Sequence, residues 1–268
     1  GFQLIHYSNT KNFCRLCDDA YAKFNISDKK NFNKKWSGKD GNYKLIQNPH
    51  KKINSFKKIL NSKEVKKVIK SQFGEAPVAI NHSKISFKNF NSDQRWYPHQ
   101  DIVYFKDKSQ KGITICIYLE DNPKNSGNII CYRKSHKSTK NHKITFLKNE
   151  TEPQIYCQTK GYKAVSIDAK KGDILFMDTK TIHSSKNNIF KNKKRPIFIF
   201  SIVEICKKKI ELDDEGDCCF IYNNYKYPKN IFFSKLIFKM NLYKISILKK
   251  ILYLSYKFGL FHRLKLKN

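Results

Sequence analysis

Three residues set the chemical expectation. His99-Gln100-Asp101 follows Tyr97-Pro98 and precedes an apolar stretch, so an extended backbone there projects His99 and Asp101 to one face and Gln100 to the other. A second histidine, His183, follows the apolar segment 173–177. Two imidazoles and one carboxylate make a facial triad, which holds iron(II) by three corners and leaves positions open for a cosubstrate and O2. A His-X-Asp triplet alone recurs by chance in surface turns, so the residues downstream decide its meaning. Twelve residues after His183, Arg195 heads the run Arg195-Pro196-Ile197-Phe198-Ile199-Phe200-Ser201-Ile202. A guanidinium rooted on a strand suits a bidentate grip on a carboxylate. In isolation Arg195 reads as a surface residue opening an edge strand, but an arginine in a chain that otherwise uses lysine is informative. Ser185, two positions past His183, offers a hydroxyl to the same carboxylate.

These residues are distant in sequence and need a frame. Between 112 and 119, Ile113, Ile115, Ile117 and Leu119 alternate with Thr114, Cys116 and Tyr118, which places the two sets on opposite faces of a strand. Similar short runs occupy 128–132, 162–167, 173–177 and 197–203, separated by Gly, Asn and Lys turns. Such a series predicts a barrel or a double-sheet jelly roll. A strand is expected at 1–5 and a helix at 13–24, behind the cap signal Asn9-Thr10. From 53 to 73 apolar residues recur at helical spacing, with a break near Asn61-Ser62 where a new cap can start. Gly74 and Pro77 then punctuate the change of period.

A boundary is expected near residue 210, dividing a domain 1–210 from a basic tail 211–268. Between 231 and 261 apolar and basic residues interleave too closely for a spanning helix, which needs about 20 mostly uncharged residues. Two readings stay open for that tail: helices packed on the domain or a second subunit, or an anchor lying on an anionic membrane surface.

The formal net charge of +32 raises nucleic-acid binding as an alternative. Its pattern argues otherwise, because lysine supplies 49 of the 54 cations from end to end, and arginine, the better reader of phosphate and guanine, only five. Asn, Ile, Phe and Tyr are abundant too, as A/T-rich codons would give. The eight cysteines read as free thiols in a reducing, cytoplasmic setting. Cys14 and Cys17 form a lone CxxC, a pattern that serves redox pairs and half zinc sites, but no second CxxC or close His pair completes tetrahedral ligation, so plain thiols are expected. The sequence opens at Gly1 rather than Met, as a piece of a longer chain would.

The motifs together resemble the phytanoyl-CoA dioxygenase family of 2-oxoglutarate oxygenases. Tyr97-Pro98-His99-Gln100-Asp101 is similar to its proximal iron motif. Leu119-Glu120-Asp121-Asn122-Pro123 through Ser126-Gly127, then Ser135-His136-Lys137, and Gly172-Asp173-Ile174-Leu175-Phe176 leading to His183 follow at similar offsets. The resemblance covers about residues 1 to 205. It implies a mainly β fold with flanking helices, built on a double-stranded β-helix (jelly roll, cupin-like), to which the helical tail is appended. It implies Fe(II) on His99, Asp101 and His183, and 2-oxoglutarate held by Arg195 with Ser185. Lys88 stands where the family often carries a lysine before the iron motif, so a cosubstrate or structural role is implied, against the plainer reading of a solvated lysine. His136 is expected to be a structural hydrogen-bonder. The implied reaction consumes 2-oxoglutarate and O2, releases succinate and CO2, and hydroxylates a small-molecule or lipid-like substrate. The carboxylate of Asp101 favours hydroxylation over halogenation. A protein substrate is the alternative within the enzyme class. Ser126, Lys134 and Ser184 depart from the family pattern, which bears on loop shape and substrate choice rather than on the ligands.

Overall fold

The computed structural model describes residues 1–26, 34–37, 43–88, 95–105, 109–146, 153–190, 195–205 and 217–222. The acidic patch 211–215 and the tail 231–261 lie outside the described residues, so the two readings of the tail do too.

The main sheet is eight-stranded and antiparallel throughout. Its path runs β1 (Phe2–Ile5), β11 (Ile174–Asp178), β6 (Gly112–Tyr118), β13 (Ile197–Glu204), β4 (Val78–Ser86), β3 (Tyr43–Gln47) and β2 (Lys34–Ser37), with β14 (Asp217–Tyr222) also paired to β4. A four-stranded sheet faces it, in the order β10 (Ala164–Ser166), β7 (Ile129–Tyr132), β12 (His183–Ser185) and β5 (Trp96–His99). A hairpin of β8 (Lys143–Phe146) and β9 (Pro153–Tyr156) is tied to β5 where Cys157 N donates to Pro98 O at 2.8 Å. This is the expected jelly roll.

The alternation in β6 explains why the strand is buried along its whole length. Ile113, Ile115 and Ile117 join Phe198, Phe200, Ile174 and Phe176 on the outer face of the main sheet. After the single turn α2 (Pro49–Lys52), helices α3 (Asn54–Leu60) and α4 (Lys63–Phe73) join α1 (Lys11–Ile26) in covering that face, with Phe13, Cys17, Phe56, Val65, Val68 and Ile69. Phe56 meets Phe198 with ring centroids 4.8 Å apart. The expected break at Asn61-Ser62 is real. Ser62 caps α4 by accepting from Val65 N at 3.3 Å, a contact worth about 1 kcal/mol. The opposite set, with Cys116, Tyr118, Leu175, Met177 and Ile197, packs inward against Ile129 and Cys131 of the smaller sheet. The inner space between the sheets is where the polar members Thr114, Arg195 and Ser201 also project.

β4 lies outside the expected strands, although it pairs with β13, β3 and β14. A bulge explains this. The register slips between Ser201 and Ile202, so that Ile80 and Ile85 both pack on the helical side and the period-two signal is broken. The slip leaves His82 and Lys84 opposite Ser201 and Ile199, on the inner face. β14 lies past the boundary expected near residue 210, and the compact unit containing the sheets runs Gly1–Asn224.

Two glycines are required by space. Gly172 (φ +88°) turns into β11, and a Cβ there would stand 2.8 Å from Cys14 Sγ. Gly127 (φ +81°) leaves room for Lys88, whose Cδ would lie 2.6 Å from an added Cβ.

Candidate metal centre

β5 ends at His99, Gln100 continues extended (φ −114°, ψ 132°), and Asp101 opens a short 3-10 turn, Asp101–Tyr104. The local geometry therefore turns both side chains the same way, as the His-X-Asp spacing predicts. β12 lies antiparallel beside β5 and pairs His183 directly with His99. Their rings stand 4.4 Å apart. His99 Nε2 and His183 Nε2 lie 3.6 and 3.7 Å from the same oxygen, Asp101 Oδ1. One ligand atom from each of the three residues falls within 4.8 Å of the others, and among the described residues this is the His/Cys/Asp/Glu group with the geometry to hold a metal ion.

The hydrogen bonds prepare these atoms for a cation. His99 Nδ1 is 2.7 Å from Tyr97 O, and His183 Nδ1 is 3.1 Å from Thr181 O. A carbonyl only accepts, so each Nδ1 carries the proton and each Nε2 keeps its lone pair for a metal. Thr114 Oγ1 donates to Asp101 Oδ2 at 2.6 Å and leaves Oδ1 facing the imidazoles. Thr114 in turn lies 3.1 Å from Ser201 Oγ, which is 3.3 Å from His82 Nε2. Burial pushes His183 down to about 4, against the raising pull of Asp101. Burial alone would raise Asp101, but the positive charge of His183 and the hydrogen bond and charge of His99 outweigh it and hold the carboxyl well below its usual range. Near neutral pH the site thus offers a carboxylate and a neutral His183 imidazole, the protonation states a ligand set needs.

Gln100 faces away from this cluster, as expected, and fastens the turn. Its side chain donates to Ser138 O and Lys180 O and accepts from Lys140 N, while its backbone N–H donates to His142 Nε2. Sequence reasoning missed Thr114 and this use of Gln100. The signal for Thr114 was a hydroxyl in a strand otherwise built from Ile, Cys and Tyr.

Arg195 is only 3% exposed, and its Nε and Nη1 find no hydrogen-bond partner among the described residues. Burial draws its guanidinium down to about 10, so it remains charged at neutral pH. A buried cation with free N–H groups fits an anionic ligand, and the carboxylate of 2-oxoglutarate satisfies that requirement. Ser185, buried, is two residues along β12 from His183 on the same face. Lys88 is not solvated. It is fully buried, with its ammonium on Lys186 O and its own carbonyl accepting from Arg195 N at 3.3 Å and Asn188 Nδ2 at 3.0 Å. The position therefore braces the segment that carries Arg195.

The expectation for His136 is revised. His136 Nδ1 is buried without a hydrogen-bond partner among the described residues, and the structural bonding falls to Ser135, which accepts from Ile182 N at 2.8 Å and donates to Tyr132 O at 2.7 Å. The CxxC is structural: Cys17 sits in the helical core, and Cys14 Sγ lies 3.3 Å from Ser8 O, with burial raising both thiols. Cys14, Cys17, Cys116, Cys131 and Cys157 are free thiols. Among the described residues no helix is long and apolar enough to cross a membrane.

A double-stranded β-helix that holds two histidines and a carboxylate together and carries a buried arginine defines the class of non-haem iron dioxygenases that depend on 2-oxoglutarate. Residues 13–195 match the phytanoyl-CoA dioxygenase (PhyH) family, and the chain belongs to it. No curated protein matches the chain significantly. Solved structures share the fold at low identity. The non-haem α-ketoglutarate-dependent epimerase SnoN from nogalamycin biosynthesis is 13% identical, with 76% of this chain and 78% of that chain covered and a TM-score of 0.57. EvdO2 from Micromonospora carbonacea var. aurantiaca, solved with 2-oxoglutarate, is 14% identical over 80% of this chain and 89% of its own, with a TM-score of 0.57. EctD from S. alaskensis, solved with 2-oxoglutarate and 5-hydroxyectoine, is 13% identical over 76% and 72%, again with a TM-score of 0.57.

Proposed function

We propose that this Fe(II)/2-oxoglutarate-dependent dioxygenase hydroxylates a small-molecule or lipid-like substrate, with His99, Asp101 and His183 holding the iron and Arg195 and Ser185 the cosubstrate. The observation that carries the reading is the convergence of both Nε2 atoms on Asp101 Oδ1 in a chain of this family. With iron(II) bound, the chemistry supplied is O2 activation coupled to the conversion of 2-oxoglutarate to succinate and CO2, one oxygen atom entering a C–H bond of the substrate. The remaining work belongs to the protein. Tyr97 O and Thr181 O fix the tautomers of the two histidines, and Thr114 fixes which oxygen Asp101 presents. Gln100 keeps the ligand turn from relaxing by tying it to the 138–142 segment. Arg195, desolvated before any ligand arrives, gives a carboxylate a stronger grip than an exposed arginine would.

A small-molecule acceptor is supported by the neighbours, one complexed with a nogalamycin compound and another with 5-hydroxyectoine. The test is to incubate the full chain with Fe(II), 2-oxoglutarate and O2 against metabolite and lipid extracts. Succinate formation and an acceptor that gains one oxygen atom are expected, both lost in His183→Ala. Succinate that persists undiminished in His183→Ala would refute the assignment.

A further inference from the structure

Thr114, Ser201 and His82 form one row across three neighbouring strands. Ser201 of β13 pairs with Thr114 of β6 on one side and with His82 of β4 on the other, and directly opposed residues of antiparallel strands project to the same side. The bulge in β4 puts His82 there. Ile80 and His82 are two residues apart, which in a regular strand sends both to one face. Here the register slips between them, so Ile80 stays in the helical core while His82, half-buried, turns to the inner face with the metal cluster. Bulges commonly re-aim a side chain next to a functional site.

Chemistry gives the hydrogen bonds along this row a direction. A carboxylate has no proton to give, so the Thr114 hydroxyl donates to Asp101 Oδ2 at 2.6 Å. A hydroxyl carries one proton. With its own on Asp101, Thr114 Oγ1 accepts at its 3.1 Å contact with Ser201 Oγ, which makes Ser201 the donor. Ser201 Oγ in turn accepts from His82 Nε2, 3.3 Å away. His82 therefore carries a proton on Nε2. That is the opposite of His99 and His183, whose Nδ1 atoms hold the proton and whose Nε2 atoms converge on Asp101 Oδ1.

We propose that His82 and Ser201 are positioning residues for the iron ligand Asp101, the outer links of a one-way relay of hydrogen bonds that runs from His82 Nε2 through Ser201 Oγ and Thr114 Oγ1 to Asp101 Oδ2. This rests on the iron reading given above. The relay keeps the Thr114 proton on Oδ2, so the carboxylate offers Oδ1 alone to the cation and the other corners of the site stay open. Donors in series polarise one another. Without Ser201 and His82 behind it, the Thr114 hydroxyl is a weaker donor to Asp101.

The experiment uses full chains under anaerobic conditions: the parent, His82→Phe, His82→Gln, Ser201→Ala, Thr114→Val and the double variant Thr114→Val with His82→Phe. Iron(II) affinity is measured for each, and imidazole 15N NMR of the metal-free parent reads which ring nitrogen of each histidine bears the proton. A protonated Nε2 is expected on His82, against a protonated Nδ1 on His99 and His183. His82→Phe and Ser201→Ala are each expected to weaken iron about 3- to 10-fold, less than the loss of a direct partner to a ligand. His82→Gln, whose amide supplies an N–H, is expected to recover most of that loss. A merely structural His82 would add its loss to that of Thr114→Val. The relay is already cut in Thr114→Val, so the double variant is expected to bind iron within about twofold of it. An unprotonated His82 Nε2, parental iron affinity in Ser201→Ala, or additive losses in the double variant overturns the relay, and the first two decide the case even where His82→Phe does not fold. Failure of the iron reading looks different: there the parent binds no iron whatever the tautomer of His82, and the proposal falls with that reading.

Discussion

At the scale of single residues, the histidines and the aspartate were legible because metal chemistry restricts residue type. Few side chains can ligate iron, and a His-X-Asp segment followed by a distant histidine and an arginine leaves a trace that survives without structure. Thr114 left only a hydroxyl in an otherwise apolar strand, and a threonine alternating in a strand looks like any half-polar position. Its hydrogen bond to Asp101 Oδ2 nevertheless decides which carboxylate oxygen is free. Thr114→Val is expected to lower iron affinity about 10- to 100-fold, the usual cost of losing a partner that orients a ligand, and Thr114→Ser to restore most of it. Metal titration of the two variants checks this, and equal affinities in Val and Ser would show that the hydroxyl is irrelevant.

His183 supplies a second residue-scale expectation. Its folded value near 4 lies below the ordinary histidine value of about 6.5, so the unfolded chain binds a proton there that the native metal-free protein refuses. Stability falls when the unfolded state binds more protons. The contribution of His183 is thus at its full value above about pH 6.5 and is progressively lost as pH drops toward 4, by about 3 kcal/mol in all. Asp101, also depressed, loses its contribution at still lower pH, in the same direction. Imidazole NMR of the metal-free protein should show His183 titrating near pH 4 rather than 6.5.

At the scale of elements, the clean alternation of β6 revealed a strand with two buried faces, and the helical spacing at 53–73 revealed α3 and α4 with the cap between them. β4 was hidden by its bulge. Residue periodicity assumes that a strand keeps its phase, and β4 changes phase opposite Ser201/Ile202 while remaining paired to β13 along its length. Lys88 was misread for a related reason. Lysine is rarely buried, and only the tertiary structure brings Lys186 O to its ammonium. The brace it forms depends on Gly127. Both Gly127 and Gly161 have positive φ, but an added Cβ meets Lys88 at Gly127 and nothing within 4 Å at Gly161. Gly161→Ala isolates the backbone cost, on the order of 1–3 kcal/mol. Gly127→Ala should be clearly more destabilising in urea unfolding, because the Lys88 side chain must also move. Equal losses would mean that the packing of Lys88 against Gly127 does not constrain the segment leading to Arg195.

At the scale of the whole molecule, one sheet serves two interiors. Its outer face, with the helices, forms an apolar core containing no ligand atoms, and its inner face, with the smaller sheet, carries the triad, Thr114 and Arg195. Stability and chemistry are thereby assigned to opposite sides of the same strands. The CxxC, conspicuous in the sequence, proved to belong to the helical side, where Cys14 and Cys17 pack and do not face the inner space. The central claim is that His99, Asp101 and His183 act together as one iron site, and the most direct test is the iron(II) stoichiometry of the full chain measured anaerobically. The parent is expected to bind about one iron per chain and each of His99→Ala, Asp101→Ala and His183→Ala to lose most of that binding, since each ligand supplies one corner of an open triad. Parent protein that binds no iron, or alanine variants that keep the parental stoichiometry and affinity, would contradict the account.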